Sequence, residues 1–467
     1  MIDLTGVLSG IGSSLPVLAE VNEAELGPLV LASVLLSLIV IYLAAKLGGE
    51  LCARVNLPSV LGELVGGVVV GVSALNLIVF PEGAEPVHSF LMDFVQLTAN
   101  LEPDALLTVF KSQSEVVSIL AEIGVIILLF EIGLESDLKE LIRVGPQAAV
   151  VAIVGVVVPF VAGTVGLIAF FGVETIPAVF AGAALTATSI GITAKVLAEL
   201  QTLSSREGQI IIGAAVLDDV LGIIVLAVVA SLAKTGEIEI TNVIFLIIGA
   251  AVFLVGSILL GRLLSPLFVG LVDQMQTRGQ VLISSLVFAF VLSYIAAAIQ
   301  LEAILGAFAA GLILAETTKR KEIEEQSSPS AEMVVPVFFV TGGAHTDISV
   351  LNPLNPANRE GLVIASFLVI VAIIGKVITG FTVFGQEGIN RLAIGVGMIP
   401  RGEVGLVFAG VGAASGVLSE SLDAAIIVMV IFTTFVAPPL LRVVFENDDN
   451  DPSDAEATQE MAEATAD

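Results

Sequence analysis

Asp218 and Asp219 are adjacent carboxylates about halfway along the apolar run 209–232, whose middle reads IIIGAAVLDDVLGIIVLAVVAS. The run is long enough to cross a bilayer as a helix. An ionisable side chain at that depth costs at least about 2.5 kcal/mol on insertion scales, and adjacent like charges repel. Such a site has to hold a proton, a cation or a fixed basic partner. Successive helical positions differ by about 100°, so the two aspartates diverge, and one can meet a basic group while the other faces a water-filled cavity. Lys376 in GKVITG, alone in a long apolar run, is the candidate partner. A buried ammonium is tolerable when paired and can lose its proton when not. A static ion pair is the competing reading of the same residues.

Other polar residues stand at similar depth. Thr186, Thr188 and Ser189 lie between Gly182 and Gly191. Their hydroxyl groups and any freed backbone oxygens suit a partly dehydrated Na+, although threonine in a membrane helix also bonds its own backbone. Arg401 and Glu403 flank a break at Pro400, where they can neutralise the helix ends or each other. Glu63 and Glu131 also fall in or near spans and read as packing-level hydrogen-bonding groups. His345, near an outer helix end, is a pH-sensing candidate through its ordinary pKa near 6.5, with an interfacial role as the alternative.

The elements that position these residues are membrane helices. Hydrophobic residues make up 56% of the 467, and mean hydropathy is +1.04, which excludes an ordinary soluble domain. Continuous apolar runs rich in glycine indicate helices, not the alternation of a barrel. The first 26 residues carry no Lys or Arg, so a cleavable signal is not expected. The single Cys52 excludes an internal disulfide, and a net charge of −28 argues against nucleic-acid binding. The acidic segment 446–467 is expected to be disordered.

Thirteen spans are predicted, at 28–45, 58–79, 116–133, 148–171, 177–200, 209–232, 243–260, 281–299, 301–315, 333–350, 362–383, 392–414 and 424–441. With residues 1–27 extracytoplasmic, most of the 18 Lys and Arg fall on the cytoplasmic side, as the positive-inside rule requires; only Lys111, Lys234 and Arg359 fall outside. An odd number of spans puts the carboxyl terminus in the cytoplasm. The twelfth span is interrupted: Pro400 lacks an amide hydrogen, and Gly395, Gly397 and Gly402 surround it. The fifth span is a candidate for interruption near Thr186. The two lie seven spans apart. That odd shift predicts inverted repeats, with span seven (243–260) as connector, and paired broken helices mark a transporter's substrate site.

LPSVLGELVGGVVVG from Leu57, LLFEIGLESDLKEL from Leu128, ALTATSIGITAKVL from Ala184, AAVLDDVLGIIVL from Ala214, LGAFAAGLILAE from Leu305, GKVITG and GMIPRGEVGLV from Gly397 together resemble the monovalent cation:proton antiporter-2 family, which includes the NapA-like Na+/H+ antiporters. The resemblance covers nearly the whole membrane region. It implies an all-α polytopic homodimer with two crossed discontinuous helices, a dimerisation scaffold of 28–134 and 281–350, and an ion-translocating core of 148–232 and 362–441. It implies that Asp219 binds Na+ or H+ in turn while Asp218 pairs with Lys376, and that exchange is electrogenic, since electroneutral relatives usually carry Asn where Asp218 stands. It also implies an elevator-like alternating-access motion without a cofactor. K+ is the alternative cargo. The pattern further resembles cyanobacterial thylakoid antiporters, so a thylakoid or bacterial inner membrane is expected. No nucleotide-binding GxGxxG unit follows Leu441, so nucleotide gating is not expected. Intramembrane aspartyl proteases also use paired aspartates, but on separate helices facing one another, and a GxGD motif is missing here. A cation sensor that does not transport is the remaining rival, which transport assays separate.

Overall fold

The computed structural model describes residues 23–80, 89–99, 101–235, 240–352, 354, 358–385 and 388–448. Most of the amino-terminal segment and residues 449–467 of the acidic tail lie outside them. The described residues form α1 (Glu23–Arg54), α2 (Ser59–Val70), α3 (Phe90–Ala99), α4 (Pro103–Glu135), α5 (Leu138–Phe171), α6 (Thr175–Ala184), α7 (Ile190–Glu199) and α8 (Arg206–Thr235). After α9 (Ile240–Gln274) come α10 (Gln280–Ala298), α11 (Ala303–Ala315), α12 (Arg320–Ala344), α13 (Asn358–Gly380), α14 (Arg391–Gly397), α15 (Gly402–Ala414) and α16 (Glu420–Asp448). No strand occurs among the described residues.

Among the described residues, eight helices are long and apolar enough to cross a membrane: α1, α4, α5, α8, α9, α10, α13 and α16. The five other expected spans fall on shorter or broken pieces. α2 and α11 have 12 and 13 residues, the fifth and twelfth spans divide into α6/α7 and α14/α15, and α12 carries the polar stretch RKEIEEQSSPSAE in its first half.

Several boundaries differ from expectation: α1, α4, α5, α9 and α16 run beyond their predicted spans, and three further departures have clear causes. The second span ends at Val70, because at Gly71 the chain turns and the Leu77 and Ile78 amides bond back to Val70 O. The tenth begins at Arg320 and ends at Ala344, since its polar first half is good helix former although hydropathy excludes it. α3 was not anticipated. It is too short to span, and it buries Leu91, Met92 and Val95 while exposing Phe90 and Phe94.

The two halves pack reciprocally. At the α2–α12 crossing, a Cβ on Gly67 would collide with Val340 O and one on Gly343 with Leu64 O. At the α4–α11 crossing, a Cβ on Gly133 would collide with Phe308 O and one on Gly311 with Phe130 O. The second span of each half thus crosses the third of the other at backbone contact, a small-residue mode that lipid-embedded helices favour. α5 and α8 pack together and meet α13, which packs on α16, so the helices carrying both breaks share one group. On α1, Leu31, Leu35, Ile39, Leu43, Leu47 and Leu51 form an exposed stripe at four-residue spacing.

Candidate functional site

α6 stops at Ala184 and α7 starts at Ile190, leaving five non-helical residues, 185–189. α14 stops at Gly397 and α15 starts at Gly402. Pro400 cannot donate to a helical ladder, and Gly402 takes φ +52°, a left-handed conformation that glycine adopts without steric cost. The two breaks cross. The Ser189 amide donates to Pro400 O at 2.8 Å, the Thr188 hydroxyl to Met398 O at 3.3 Å, and the Thr193 hydroxyl to Gly397 O at 2.8 Å. The Gly402 amide donates to the hydroxyl of Thr434 on α16 at 3.1 Å. Backbone groups freed by one break are therefore satisfied by the other and by hydroxyls around it, as a dry interior demands.

Thr186 behaves differently from its neighbours: its hydroxyl donates to Ala183 O at 2.7 Å, closing the end of its own helix. Arg401 is fully buried, and its Nη1 donates to Met398 O and Ile399 O, each at 3.3 Å. It places positive charge at the carbonyl-rich end of α14. The Glu403 side chain lies outside the described residues. His345 caps the end of α12, with Nδ1 2.9 Å from Thr341 O, and stacks on Phe80 with ring centroids 3.9 Å apart.

Beside the crossing runs α8. Its 30 residues place Asp218 about 18 Å from the first residue, deep in the helix. Lys376 Nζ donates to Asp218 Oδ2 at 3.0 Å, and neither side chain has any exposure. Asp219 retains 5% exposure. That difference distinguishes the adjacent carboxylates: Asp218 is sealed against an ammonium and Asp219 keeps a trace of exposure. Room for Lys376 comes from Gly155 on α5, where a Cβ would lie 3.2 Å from Nζ. Arg401 lies within Coulombic reach of Asp218 and Lys376. Asp218 Oδ1 and Arg401 Nε and Nη2 make no hydrogen bond among the described residues.

The charge count is instructive. Two carboxylates and two cations make a neutral cluster, and a proton or a monovalent cation on Asp219 brings it to +1. Thr193, Thr434 and Gly155 were not singled out in the sequence. Thr193 was the most accessible of them, one helical turn beyond Ser189; Thr434 and Gly155 stand in spans far away in the chain, where nothing local links them to the site. Among the described residues no cluster of His, Cys, Asp and Glu forms a resident metal site.

Comparison with known proteins places this geometry. Residues 34–447 match the family described as sodium/hydrogen exchanger, transmembrane. The chain is 71% identical over 426 residues to the high-affinity Na+/H+ antiporter NhaS3 of Synechocystis, covering 91% of this chain and 92% of that one. It is 33% identical over 410 residues to the Na+/H+-K+ antiporter GerN of Bacillus cereus, covering 87% and 94%. The fold is similar to that of the sodium proton antiporter MjNhaP1 of Methanocaldococcus jannaschii, with a TM-score of 0.57 at 15% identity over 88% of this chain and 96% of that one.

Proposed function

Because the chain belongs to the sodium/hydrogen exchanger family, we propose that it is a Na+/H+ antiporter in which Na+ and H+ compete for Asp219. The observation that carries this reading is one nearly buried carboxylate with residual exposure, beside a sealed Asp218–Lys376 pair and against two crossed helix breaks. Sodium binds Asp219 as its proton leaves, with Thr188, Ser189 and the backbone oxygens of the breaks as candidate further ligands. On the other face of the membrane, protonation of the same carboxylate expels the ion.

In this reading α5–α8 and α13–α16 move as a core against a scaffold of α1–α4 and α10–α12, in an elevator-like motion, and α9 connects the halves. The scaffold joins two copies in a homodimer. Exchange of one proton for one Na+ at Asp219 moves no net charge, so electrogenic exchange needs a second group that titrates during the cycle. The Asp218–Lys376 pair is placed to supply it. The amino terminus is assigned to the extracytoplasmic side by the basic-residue asymmetry.

Purified protein in liposomes, loaded with a pH-sensitive dye, tests the reading: added Na+ should drive proton movement, faster when a K+/valinomycin clamp collapses the voltage. No Na+-dependent movement would refute it. K+ is a second cargo to be tested in parallel with another voltage clamp, a reading favoured by the 33% identity to GerN.

A further inference from the structure

The side-chain cap at the start of α2 comes from the far side of the proposed domain boundary. Its N-cap position is Pro58, which makes no side-chain capping bond. In its place Glu199, the last residue of α7, receives the Ser59 amide on Oε2 at 2.8 Å and the Ser59 hydroxyl on Oε1. A carboxylate there satisfies an orphan amide and complements the helix dipole. One turn earlier on α7 is Lys195, four residues before Glu199 and so on the same face. Its charge attracts Glu63 on α2 and Glu131 and Glu135 on α4. Glu199 thus bonds a helix of the opposite group directly, and Lys195, one turn away, adds a longer-range attraction to the acidic residues of α2 and α4.

We propose that the Lys195–Glu199 face of α7 is a latch between core and scaffold, which holds the core in the position seen here and releases during each exchange cycle. The inference rests on the reading that α7 moves against α2. A slide of α7 by one helical turn, about 5.4 Å, takes a carboxylate oxygen now at 2.8 Å beyond hydrogen-bonding range of the Ser59 amide. Glu199 is exposed, so water takes over its oxygens on release.

The test joins the two residues covalently. Ser59→Cys/Glu199→Cys in a Cys52→Ser background is reconstituted as the full chain and bridged with a short bifunctional thiol reagent whose link is reducible. Exchange is expected when reduced, to fall at least tenfold when bridged, and to return on reduction. Undiminished exchange in the bridged protein would overturn the latch while leaving antiport standing. No exchange in the unsubstituted protein would overturn both. Should the double variant be inactive when reduced, Glu199→Ala against Glu199→Gln decides. The glutamine still accepts from the Ser59 amide, whereas alanine removes the cap. A lost cap shifts the balance between core positions about fivefold, read as a change of that size in apparent KM for Na+ for alanine and a smaller one for glutamine. Identical KM in both variants and the unsubstituted protein would overturn the proposal.

Discussion

Replacing Lys376 by methionine removes the ammonium and keeps most of the side chain's volume. Nζ lies 3.0 Å from Asp218 Oδ2 and both residues are sealed from solvent, so the substitution strands a buried carboxylate. Removing one partner of such a pair costs about 3–5 kcal/mol. Arg401, within Coulombic reach of Asp218, offers partial compensation, which puts the expected loss near the lower end, about 3 kcal/mol. Asp218→Asn strands Lys376 in the same way and should cost a similar amount. The double variant strands neither charge, so its loss should fall well short of the two added together, with a coupling of about 2–3 kcal/mol. The chain contains no Trp, so thermal stability in detergent is best followed by the fraction that stays monodisperse on size exclusion after heating. Single variants that melt like the unsubstituted protein, or a double variant that loses the full sum, would refute a tightly coupled pair.

Other substitutions separate the roles of the site. Asp219→Asn should abolish Na+-driven proton movement while leaving fold and oligomeric state unchanged on size exclusion; normal exchange would remove Asp219 from the mechanism. Asp218→Asn, in whatever fraction stays folded, should leave exchange insensitive to clamped voltage, and retained voltage dependence would place the second titrating group elsewhere. Gly155→Val pushes methyl groups into the space where a Cβ alone would sit 3.2 Å from Lys376 Nζ, and should cost about 1–3 kcal/mol of thermal stability. Gly402→Ala combines a left-handed backbone at φ +52° with a Cβ against Ser189 Oγ. It should destabilise the crossing by at least about 1–2 kcal/mol, and an unchanged melting profile would show that the break tolerates a side chain.

Much of this architecture was legible in the chain because lipid imposes a simple rule: apolar runs of sufficient length become helices. The break at Pro400 was legible too, since proline and three glycines within eight residues leave no alternative. The break at Leu185–Ser189 was weaker in sequence, because it contains no proline; hydroxyl residues create it only in concert with the partner strand of backbone at Met398 and Pro400. Helix α3 escaped because ten residues carry too little apolar length to register, and the polar start of α12 because hydropathy does not see helix propensity. Glu199 capping Ser59 across 140 residues was invisible for a different reason. A trans cap leaves no local pattern: the sequence shows only that the residue just before α2 is a proline, which has no capping side chain. Likewise, Gly155 carries no mark that distinguishes it from other glycines until Lys376 is placed beside it.

The most direct test of competition at one carboxylate is the apparent KM for Na+ measured in proteoliposomes across a pH series at clamped voltage. If Na+ and H+ exclude each other at Asp219, each unit of pH below that group's pKa should raise apparent KM about tenfold, with saturating Na+ still overcoming the proton, and KM should level off above it. An apparent KM that stays constant across the series while the maximal rate alone changes would contradict the account.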